Sequence, residues 1–334
     1  MDSEYHYYIT YIIALRAGFG KDEAYKIAYS SQYTDDNNEP YEINSNKADV
    51  YKNYISQTFN ILKPKEELLR IYPMFHFFPG TLDEIVNKSL PRRDGKFHLL
   101  NTIPGNSNGQ KLMQDALKSK NFHLIGITTH MFADTYSHQN FVGFKDEINS
   151  MKGFLKKLIP SIGHTKAGYN PDWPALKWTD DRFVSKYSEI DNKDRFLKAS
   201  EHIFELYCRY GQGYLPDTIE DGKKELVPAL REAIGDYDSK NKRKNERIER
   251  YKNLIGNDFI EYDEDSWFDS TVSWMSDPET IGSSQVKRIY SWKENHEESD
   301  WYKFQEAVKN HQKAAEEVLS PTFEKMDITK LDIW

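Results

Sequence analysis

Ligand-type side chains recur at helical spacing in the apolar, proline-free stretch from Asn121 to Gly143. The length and composition of this stretch predict a buried helix. His130, Asp134 and His138 occupy every fourth position, and at about 3.6 residues per turn they lie on one face of that helix. Imidazole and carboxylate groups are costly to bury unless something neutralises or bonds them. A metal ion is the simplest such partner, so the stretch predicts a metal site in a helical protein.

A hydrogen-bonded polar cluster without a metal is the alternative explanation, since a buried imidazole commonly bonds a backbone carbonyl. That alternative is the more frequent outcome for a single histidine, whereas three ligand-type residues on one helical face favour a metal. Zinc is the expected ion, at about one to three per chain, although other divalent first-row metals accept the same ligands. His123, two turns before His130 on nearly the same stripe, is a candidate for a supporting contact.

The composition limits the expected partners and compartment. With 334 residues and a net charge of −8, the chain is long enough for a sizeable core and is not expected to bind nucleic-acid backbones stably. A nucleic acid held through a local metal cluster stays open, because bound cations dominate the field around them. Cys208 is the only cysteine, which excludes disulfides and thiolate-rich metal sites within the chain. The N-terminal residues lack signal-peptide features and no apolar run reaches a membrane span, so we expect a cytoplasmic protein.

The hydrophobic periodicity predicts a mainly α protein, a multi-helix bundle with long ordered loops. We expect residues 1–210 to form a helical core with the metal site, and residues 211–334 to form a helical region packed on it or continuous with it. The second region carries no motif that indicates a function, and its charge-dense run at 238–251 predicts an exposed helix or a linker. Residues 41–65 predict irregular structure or a weak strand pair. Helices are expected over residues 4–17, 22–31, 151–159, 193–210 and 301–319.

Four further ligand-type residues precede the central stretch. His6 is surrounded by aromatic and aliphatic side chains, and His76 lies among phenylalanines between two prolines, so both are expected to be buried. Asp35 and Asp36 fall in a segment whose asparagines and proline predict a loop. Either of these aspartates is a candidate metal ligand and a candidate for orienting or deprotonating a catalytic water.

Two ligand-type residues follow the central stretch in a loop rich in glycine, proline and tryptophan. His164 is a candidate ligand, and Asp172, between Pro171 and Trp173, is a candidate ligand or a carboxylate that orients one. His98, in an earlier and more exposed loop, is a weaker candidate for a supporting contact. The remaining histidines are expected on helix surfaces or in solvent: His202, His296 and His311.

In chain order, the expected ligands are His6, Asp35 or Asp36, His76, His130, Asp134, His138 and His164. This order resembles the all-helical superfamily of zinc-dependent phospholipase C and the single-strand-specific zinc nucleases. The resemblance implies three zinc ions and a helical His-x-x-x-Asp element, here His130 to Asp134, that bridges two of them. The phrases HYYITYIIALRAGF, SSQYTDD and HMFADTYSHQNFVG also look like an uncharacterised bacterial family.

The chain departs from that superfamily in three places, the first of which is a shorter spacing from Asp134 to the next histidine, His138. The superfamily binds metal through the free amine of its mature N-terminal residue, and the resemblance implies that His6 takes this role here. The superfamily also carries a glutamate one turn after the late histidine, whereas position 168 of this chain is Gly.

The function expected from this resemblance is metal-dependent hydrolysis of phosphoester bonds, in a lipid head group, a nucleotide or a nucleic acid, by a metal-activated water. The alternative is a non-enzymatic binding or interaction protein in which a metal or a His/Asp cluster is structural. A helical di-iron protein is less favoured, because paired Glu-x-x-His elements on facing helices are absent from the sequence.

Overall fold

The computed structural model describes residues 1–44, 50–60, 63, 65–151, 161–280 and 287–328. The chain is 59% helical, which confirms the predicted mainly α, multi-helix fold. The α-helices in the described part are α1 Thr10–Arg16, α2 Lys21–Asp36, α3 Lys65–Ile71, α4 Leu82–Lys88, α5 Ser107–Ser119, α6 Phe122–Ser137, α7 Ser185–Ser188, α8 Asn192–Leu206, α9 Pro216–Ile234, α10 Lys244–Ile255, α11 Ser266–Thr271 and α12 Asp300–Lys325.

Three π-helical segments accompany these helices, at Glu4–Ile9, Tyr72–His76 and Tyr207–Gln212. Two of them carry candidate ligands, His6 and His76, and π-helical turns are often found at functional sites. The strands are β1 Glu42–Ile43, β2 Tyr51–Lys52, β3 Lys177–Thr179, β4 Glu189–Asp191, β5 Val272–Ser276 and β6 Arg288–Trp292. They form a small sheet in the order β2-β1-β6-β5 and a separate β3-β4 pair.

Helix α6 is the central element, packed against α2, α5, α8 and α12. It begins after Asn121, whose side chain accepts a hydrogen bond from the Leu124 amide at 3.1 Å and so satisfies one of the free N–H groups at the helix start. Gly126 lets α6 approach α2 closely, because a Cβ atom there would overlap the Ile27 carbonyl oxygen and the Ser30 side chain. This close approach brings the ligand face of α6 against the end of α2.

The main hydrophobic core contains residues from both sides of position 210. Trp267 stacks on Tyr29 with 3.8 Å between ring centroids, and the Trp301 indole donates a hydrogen bond to the Tyr33 hydroxyl at 3.0 Å. These aromatic contacts join α2 to α11 and α12, the C-terminal helices that bury large ring surfaces. The division into two regions at residue 210 stays a prediction.

The structure corrects two predicted helix ends and one predicted exposure. Helix α2 continues to Asp36, so the prediction of a loop from about residue 32 is wrong as far as Asp36. The last turn of the helix is stabilised by the burial of Tyr33 and by the hydrogen bond from Thr34 Oγ1 to the Ser30 carbonyl. Helix α12 passes through Pro321 and ends at Lys325. Helix α10 is not simply exposed, because Arg247, Tyr251 and Ile255 are buried. The helix predicted over 151–159 lies outside the described residues from 152 onward.

The prediction that His311 faces solvent is wrong. It is 1% exposed, its Nε2 donates to the Met74 carbonyl at 3.0 Å, and its Nδ1 lies 3.3 Å from the Thr128 hydroxyl. Burial lowers the pKa of His311 to about 4, and the nearby His130 opposes protonation further. At pH values between this pKa and the ordinary pKa of about 6.5, His311 is protonated in the unfolded chain and neutral in the folded chain.

The free energy of unfolding of the metal-free protein is therefore expected to fall as the pH drops from 7 to 4, with about 3 kcal/mol of the fall due to His311. A His311→Gln variant keeps a donor for the Met74 carbonyl and has no titrating group at this position. Its free energy of unfolding should therefore fall less between pH 7 and pH 4, by that amount. Urea unfolding of both proteins at pH 7 and pH 4 measures the difference. Equal losses in the two proteins would contradict the assignment.

Among the described residues, no helix combines the length and the apolar character needed to cross a bilayer.

Candidate metal centre

Eight residues singled out in the sequence converge on one site, which we call the ligand cluster: His6, Asp35, His76, His130, Asp134, His138, His164 and Asp172. They fall into three groups, each with ligand atoms within 4.8 Å of one another. The first group is Asp35, His76 and His130, the second is His6, His130 and Asp134, and the third is His138, His164 and Asp172. His130 belongs to two groups, so these two groups are adjacent.

The elements of the fold place these side chains from several directions. Helix α6 carries His130 and Asp134 one turn apart and ends at Ser137, with His138 as its cap. His138 is thus not part of the regular helix, although its N–H still bonds the Asp134 carbonyl at 2.8 Å and keeps it near the same face. Asp35 lies in the last turn of α2, an unfavourable place for an acid because the helix dipole is negative there. The neighbouring imidazoles of His130, His6 and His76 offset that cost by lowering the pKa of Asp35.

Four of the five imidazoles in the cluster bond a backbone carbonyl through one ring nitrogen. The pairs are His130 Nδ1 with Ser31 at 2.8 Å, His76 Nε2 with Ser56 at 2.9 Å, His138 Nδ1 with His76 at 2.8 Å, and His164 Nδ1 with Gly168 at 3.0 Å. A carbonyl only accepts, so the bonded nitrogen carries the hydrogen and, in a neutral ring, the other nitrogen is a lone-pair acceptor. Such a bond is the usual way in which proteins orient metal-binding histidines.

In His130 and His76, the ring nitrogen that does not bond a backbone carbonyl faces other hydrogen-bond acceptors. His130 Nε2 lies 3.1 Å from His76 Nδ1, 3.4 Å from Asp134 Oδ2 and 3.7 Å from Asp35 Oδ1. His76 Nδ1 lies 3.5 Å from Asp134 Oδ2 and 3.6 Å from Asp35 Oδ1. Two lone pairs and two carboxylate oxygens at these distances repel one another unless a cation lies between them.

The separations of these four atoms match the size of a tetrahedral metal site. Ligands about 2.0–2.1 Å from a zinc ion at tetrahedral angles are about 3.3 Å from each other. Five of the six atom pairs are measured above and span 3.1 to 3.7 Å. The four residues therefore fit a divalent ion with two nitrogen and two oxygen ligands, a donor set that zinc and other first-row metals accept.

The other oxygen of each carboxylate faces His6. His6 Nε2 lies 3.3 Å from Asp134 Oδ1 and 3.9 Å from Asp35 Oδ2. The imidazole is fully buried and stacks on His130 at a centroid distance of 3.8 Å, yet neither of its ring nitrogens forms a hydrogen bond. Asp35 and Asp134 can thus each bridge two ions, one oxygen to each side.

The third group lies at the loop that follows α6. Asp172 is 3.1 Å from His138 Nε2 through Oδ1 and 3.6 Å from His164 Nε2 through Oδ2. Gly168, where the resemblance predicts a glutamate, instead orients His164 through its carbonyl. The carboxylate of this group therefore comes from Asp172, four residues later in the same loop.

The Met1 amino group is buried between Asp134 and Asp172. It donates a short hydrogen bond to Asp134 Oδ1 and lies 3.5 Å from Asp172 Oδ1. Burial by itself would lower the pKa of this amine, but Asp134, Asp172 and Asp35 raise it to about 10. The resemblance implied that His6 takes the place of the N-terminal amine; the structure instead places His6 in the second group and the Met1 amine beside the second and third.

Electrostatics in the metal-free cluster keep the carboxylates charged. Burial opposes ionisation, but the His130, His6 and His76 imidazoles lower the pKa of Asp35, and His138, the Met1 amine and His130 hold the pKa of Asp134 well below its ordinary range. His164, the Met1 amine and His138 likewise lower the pKa of Asp172 against burial.

The histidines divide between neutral and protonated rings. Burial lowers the pKa of His6 to about 3, so this ring stays neutral. Burial also opposes protonation of His130, but Asp35 and Asp134 outweigh it and raise its pKa. In the metal-free protein, protons on His130 and on the Met1 amine supply the positive charge that the facing acceptors require.

Three other predicted site residues lie outside the three groups. The Asp36 carboxylate accepts hydrogen bonds from the Tyr262 hydroxyl at 2.6 Å and from Gln32 at 3.0 Å. His123 Nε2 lies 2.9 Å from Asp300 Oδ1, and His98 Nδ1 accepts a hydrogen bond from the Leu100 amide at 3.0 Å. Asp36 still borders the cleft described next, whereas His123 and His98 are absent from its described lining.

A cleft of about 450 Å³ opens onto the ligand cluster. Its exposed lining includes Phe59 and Tyr169, which are 80% and 70% exposed, and Tyr169 stacks on Trp173 at 5.6 Å. Lys244 is the only lysine or arginine among the described residues that line it. The volume lies within the usual range for small-molecule sites.

Sequence analysis missed three of the residues that border this site: Met1, Gln57 and Lys244. Gln57 donates a hydrogen bond to Asp35 Oδ1 at 3.3 Å, and Lys244 belongs to α10, in the charge-dense run. Nothing in their local sequence distinguishes Gln57 or Lys244 from surface residues, since both reach the cleft only through the tertiary fold.

Comparison with known proteins gives one result. The profile described as "Family of unknown function (DUF6765)" matches residues 1–319, nearly the whole chain. No curated protein and no solved structure matches the sequence.

Proposed function

This chain belongs to the DUF6765 family, and we propose that it is a metal-dependent hydrolase of phosphoester bonds. The observation that carries the proposal is that one ring nitrogen each of His76 and His130 and one oxygen each of Asp35 and Asp134 face one another at the separations of a tetrahedral metal site. Zinc is the proposed ion, because the available ligands are imidazoles and carboxylates and the described cysteine, Cys208, is buried outside the cluster.

When bound, the ions would supply a hydroxide nucleophile near neutral pH and neutralise the charge on phosphoryl oxygens. The chain's own contribution is to hold neighbouring ion sites together. Asp35 and Asp134 present their two oxygens to different groups, and Asp172 holds the third group against the cleft. Asp36, whose pKa is raised to about 6 by burial, borders the cleft beside Asp35 and is the group that we propose takes up or returns a proton.

The proposed substrate is a small phosphoester or the phosphoester end of a larger molecule. The cleft is open on one side, so a substrate can extend beyond it, and the exposed aromatic side chains offer apolar surface next to the cluster. The order of ligands along the chain, which resembles zinc-dependent phospholipase C and the zinc nucleases, supports phosphoesters over other substrates. A lipid head group, a nucleotide and a nucleic acid stay open as alternatives.

Metal content and hydrolysis, measured together, test the proposal. We expect two or three zinc equivalents by mass spectrometry in protein purified without a metal-affinity tag, and hydrolysis of bis(p-nitrophenyl) phosphate that a chelator abolishes and zinc restores. His164→Ala should lose one equivalent and most of the activity, whereas His98→Ala, a matched change in another loop, should lose neither. Absence of bound metal after zinc reconstitution would refute the proposal.

A structural metal is the second candidate function, because Asp35, His76, His130 and Asp134 already supply four ligands, the number in closed structural zinc sites. In that case the protein acts as a binding module. One tightly held equivalent, together with no hydrolysis across phosphodiester, phosphomonoester and phospholipid substrates, would favour this candidate over the enzyme.

A further inference from the structure

His6 differs from the other histidines of the ligand cluster in how it is held. The other four each bond a backbone carbonyl, whereas both ring nitrogens of His6 lack a hydrogen bond. Its imidazole contacts the stacked His130 ring and the edge of Tyr5. Because no hydrogen bond fixes the ring torsions of His6, the direction of its lone pair depends on where the backbone places the ring against His130.

The backbone of His6 is anchored two residues earlier by a buried ion pair. Glu4 is fully buried, and its two oxygens accept hydrogen bonds from Arg247 Nε at 2.7 Å and Nη2 at 2.8 Å. Arg247 is 1% exposed and also bonds Asp238 at 3.1 Å and the Asn241 side chain. A two-point contact of this kind defines an orientation as well as a distance.

Helix α10 supplies this anchor and a second one beside it. Lys244, one turn before Arg247, lies 3.2 Å from Asp2 Oδ2 and 3.1 Å from Ser3 Oγ. In a helical segment, residues two apart point to roughly opposite sides, so Glu4 faces α10 while His6 faces α6. Rotation or slippage of residues 2–6 along α10 would turn His6 out of the cluster.

Burying an ion pair is a poor way to gain stability, because desolvation offsets most of the attraction. Buried charged pairs are better explained where they specify one geometry among several. Here the geometry at stake is the direction of a metal ligand. Among the described residues, Arg247 forms ion pairs with Glu4 on the N-terminal segment and with Asp238 on the turn before α10.

We propose that Arg247 is a positioning residue for the metal centre: through Glu4 it holds the N-terminal segment so that His6 can bind the ion of the second group. The C-terminal region, in which the sequence shows no functional motif, thereby completes the site. This inference rests on the proposed function only in that the cluster binds metal; it requires no particular substrate.

Stepwise metal titration tests the inference. The proteins are the wild type, Arg247→Met, the charge-balanced pair Glu4→Gln with Arg247→Met, and the reference variants His6→Ala and His164→Ala. Zinc and cobalt alone are the probes, with affinities from competition against a chelating dye and with the cobalt absorption spectrum as the signature of each group. Lys252→Met is the matched control, because Lys252 lies on α10 and contacts Glu261, away from residues 2–6.

We expect both Arg247 variants to weaken one binding step at least tenfold and to reproduce the cobalt spectrum of His6→Ala. In both Arg247 variants, the metal-binding step that His164→Ala removes should have its wild-type affinity. In Lys252→Met, every metal-binding step should have its wild-type affinity. Arg247→Lys, which keeps one charged bond to Glu4, should recover part of the lost affinity. A merely stabilising role would leave the steps in folded protein equal to those of the wild type.

Two results would overturn the inference and are distinct from failure of the proposed function. If folded Arg247→Met or the charge-balanced pair binds metal with the wild-type profile, His6 is positioned by other contacts. If the variants weaken all steps equally, Arg247 supports the ligand cluster as a whole and does not position His6 in particular. Absence of metal from the wild type would instead refute the metal centre itself.

Discussion

Asn in place of Asp134 is expected to leave the protein folded but to lower its metal affinity more than 100-fold and to abolish its phosphoester hydrolysis. Asp134 is 1% exposed, and its two oxygens lie 3.3 to 3.5 Å from ring nitrogens of His6, His76, His130 and His138. Loss of a residue that only supports a ligand typically costs 10- to 100-fold in affinity, so loss of a charge shared by two groups should cost more. The Asn amide can donate to the His130 or His76 lone pair, which is why folding should survive.

The matched control for this change is Asp36→Asn. Asp36 is partly buried and lies beside Asp35, but its carboxylate is held by Tyr262 and Gln32 and none of its atoms belongs to the three groups. Zinc content should therefore be unchanged in the control, whatever happens to its activity. Mass spectrometry on tag-free protein and calorimetric unfolding measure both expectations. Retention of full zinc content by folded Asp134→Asn would remove this residue from the ligands.

The part of the site that sequence predicts best lies on one element. His130 and Asp134 are one turn apart on a helix, so their common face follows from local geometry alone. The burial of His6 and His76 also follows from local composition, because each lies within a run of apolar and aromatic side chains. Residue type and local spacing therefore predict those ligands whose position depends on a single helical turn or a single apolar segment.

The rest of the site depends on tertiary contacts. Asp35 lies in a sequence typical of a loop, and only the packing of Tyr33 against Trp301 and Phe304 of α12 extends the helix that far. The carbonyl of Gly168 orients His164, and no sequence pattern specifies a backbone acceptor. The sequence indicates Asp172 as a ligand or an orienting carboxylate, but only the fold of its loop places it against His138 and His164.

The charge-dense run shows a different reason for failure. Mixed charges at 238–251 are typical of a solvated helix. In the structure, three residues spaced four apart are nevertheless buried: Arg247, Tyr251 and Ile255. The spacing of these residues is visible in the sequence. Arginine is rarely buried without a partner, and the partner of Arg247, Glu4, lies 243 positions away in the sequence.

Removing the bound metal is expected to lower the melting temperature by on the order of 10 °C. An ion present at a thousandfold excess over its dissociation constant stabilises the folded state by about 4 kcal/mol, and about 1 kcal/mol shifts the melting temperature of a chain of roughly 150–250 residues by about 2–4 °C. The metal-free cluster keeps buried carboxylates and facing lone pairs that only protons then neutralise. Scanning calorimetry with and without a chelator measures the shift.

The pH dependence and the non-additivity of this shift identify where the metal lies. Asp35 and Asp134 raise the pKa of His130, so in the metal-free protein a proton competes for the same lone pair, and the stabilisation by metal should fade as the pH falls through the neutral range. In Asp134→Asn the chelator should change the melting temperature little, because the change and the chelator remove the same interaction. An undiminished chelator effect in that variant would mean that the stabilising metal binds outside the ligand cluster.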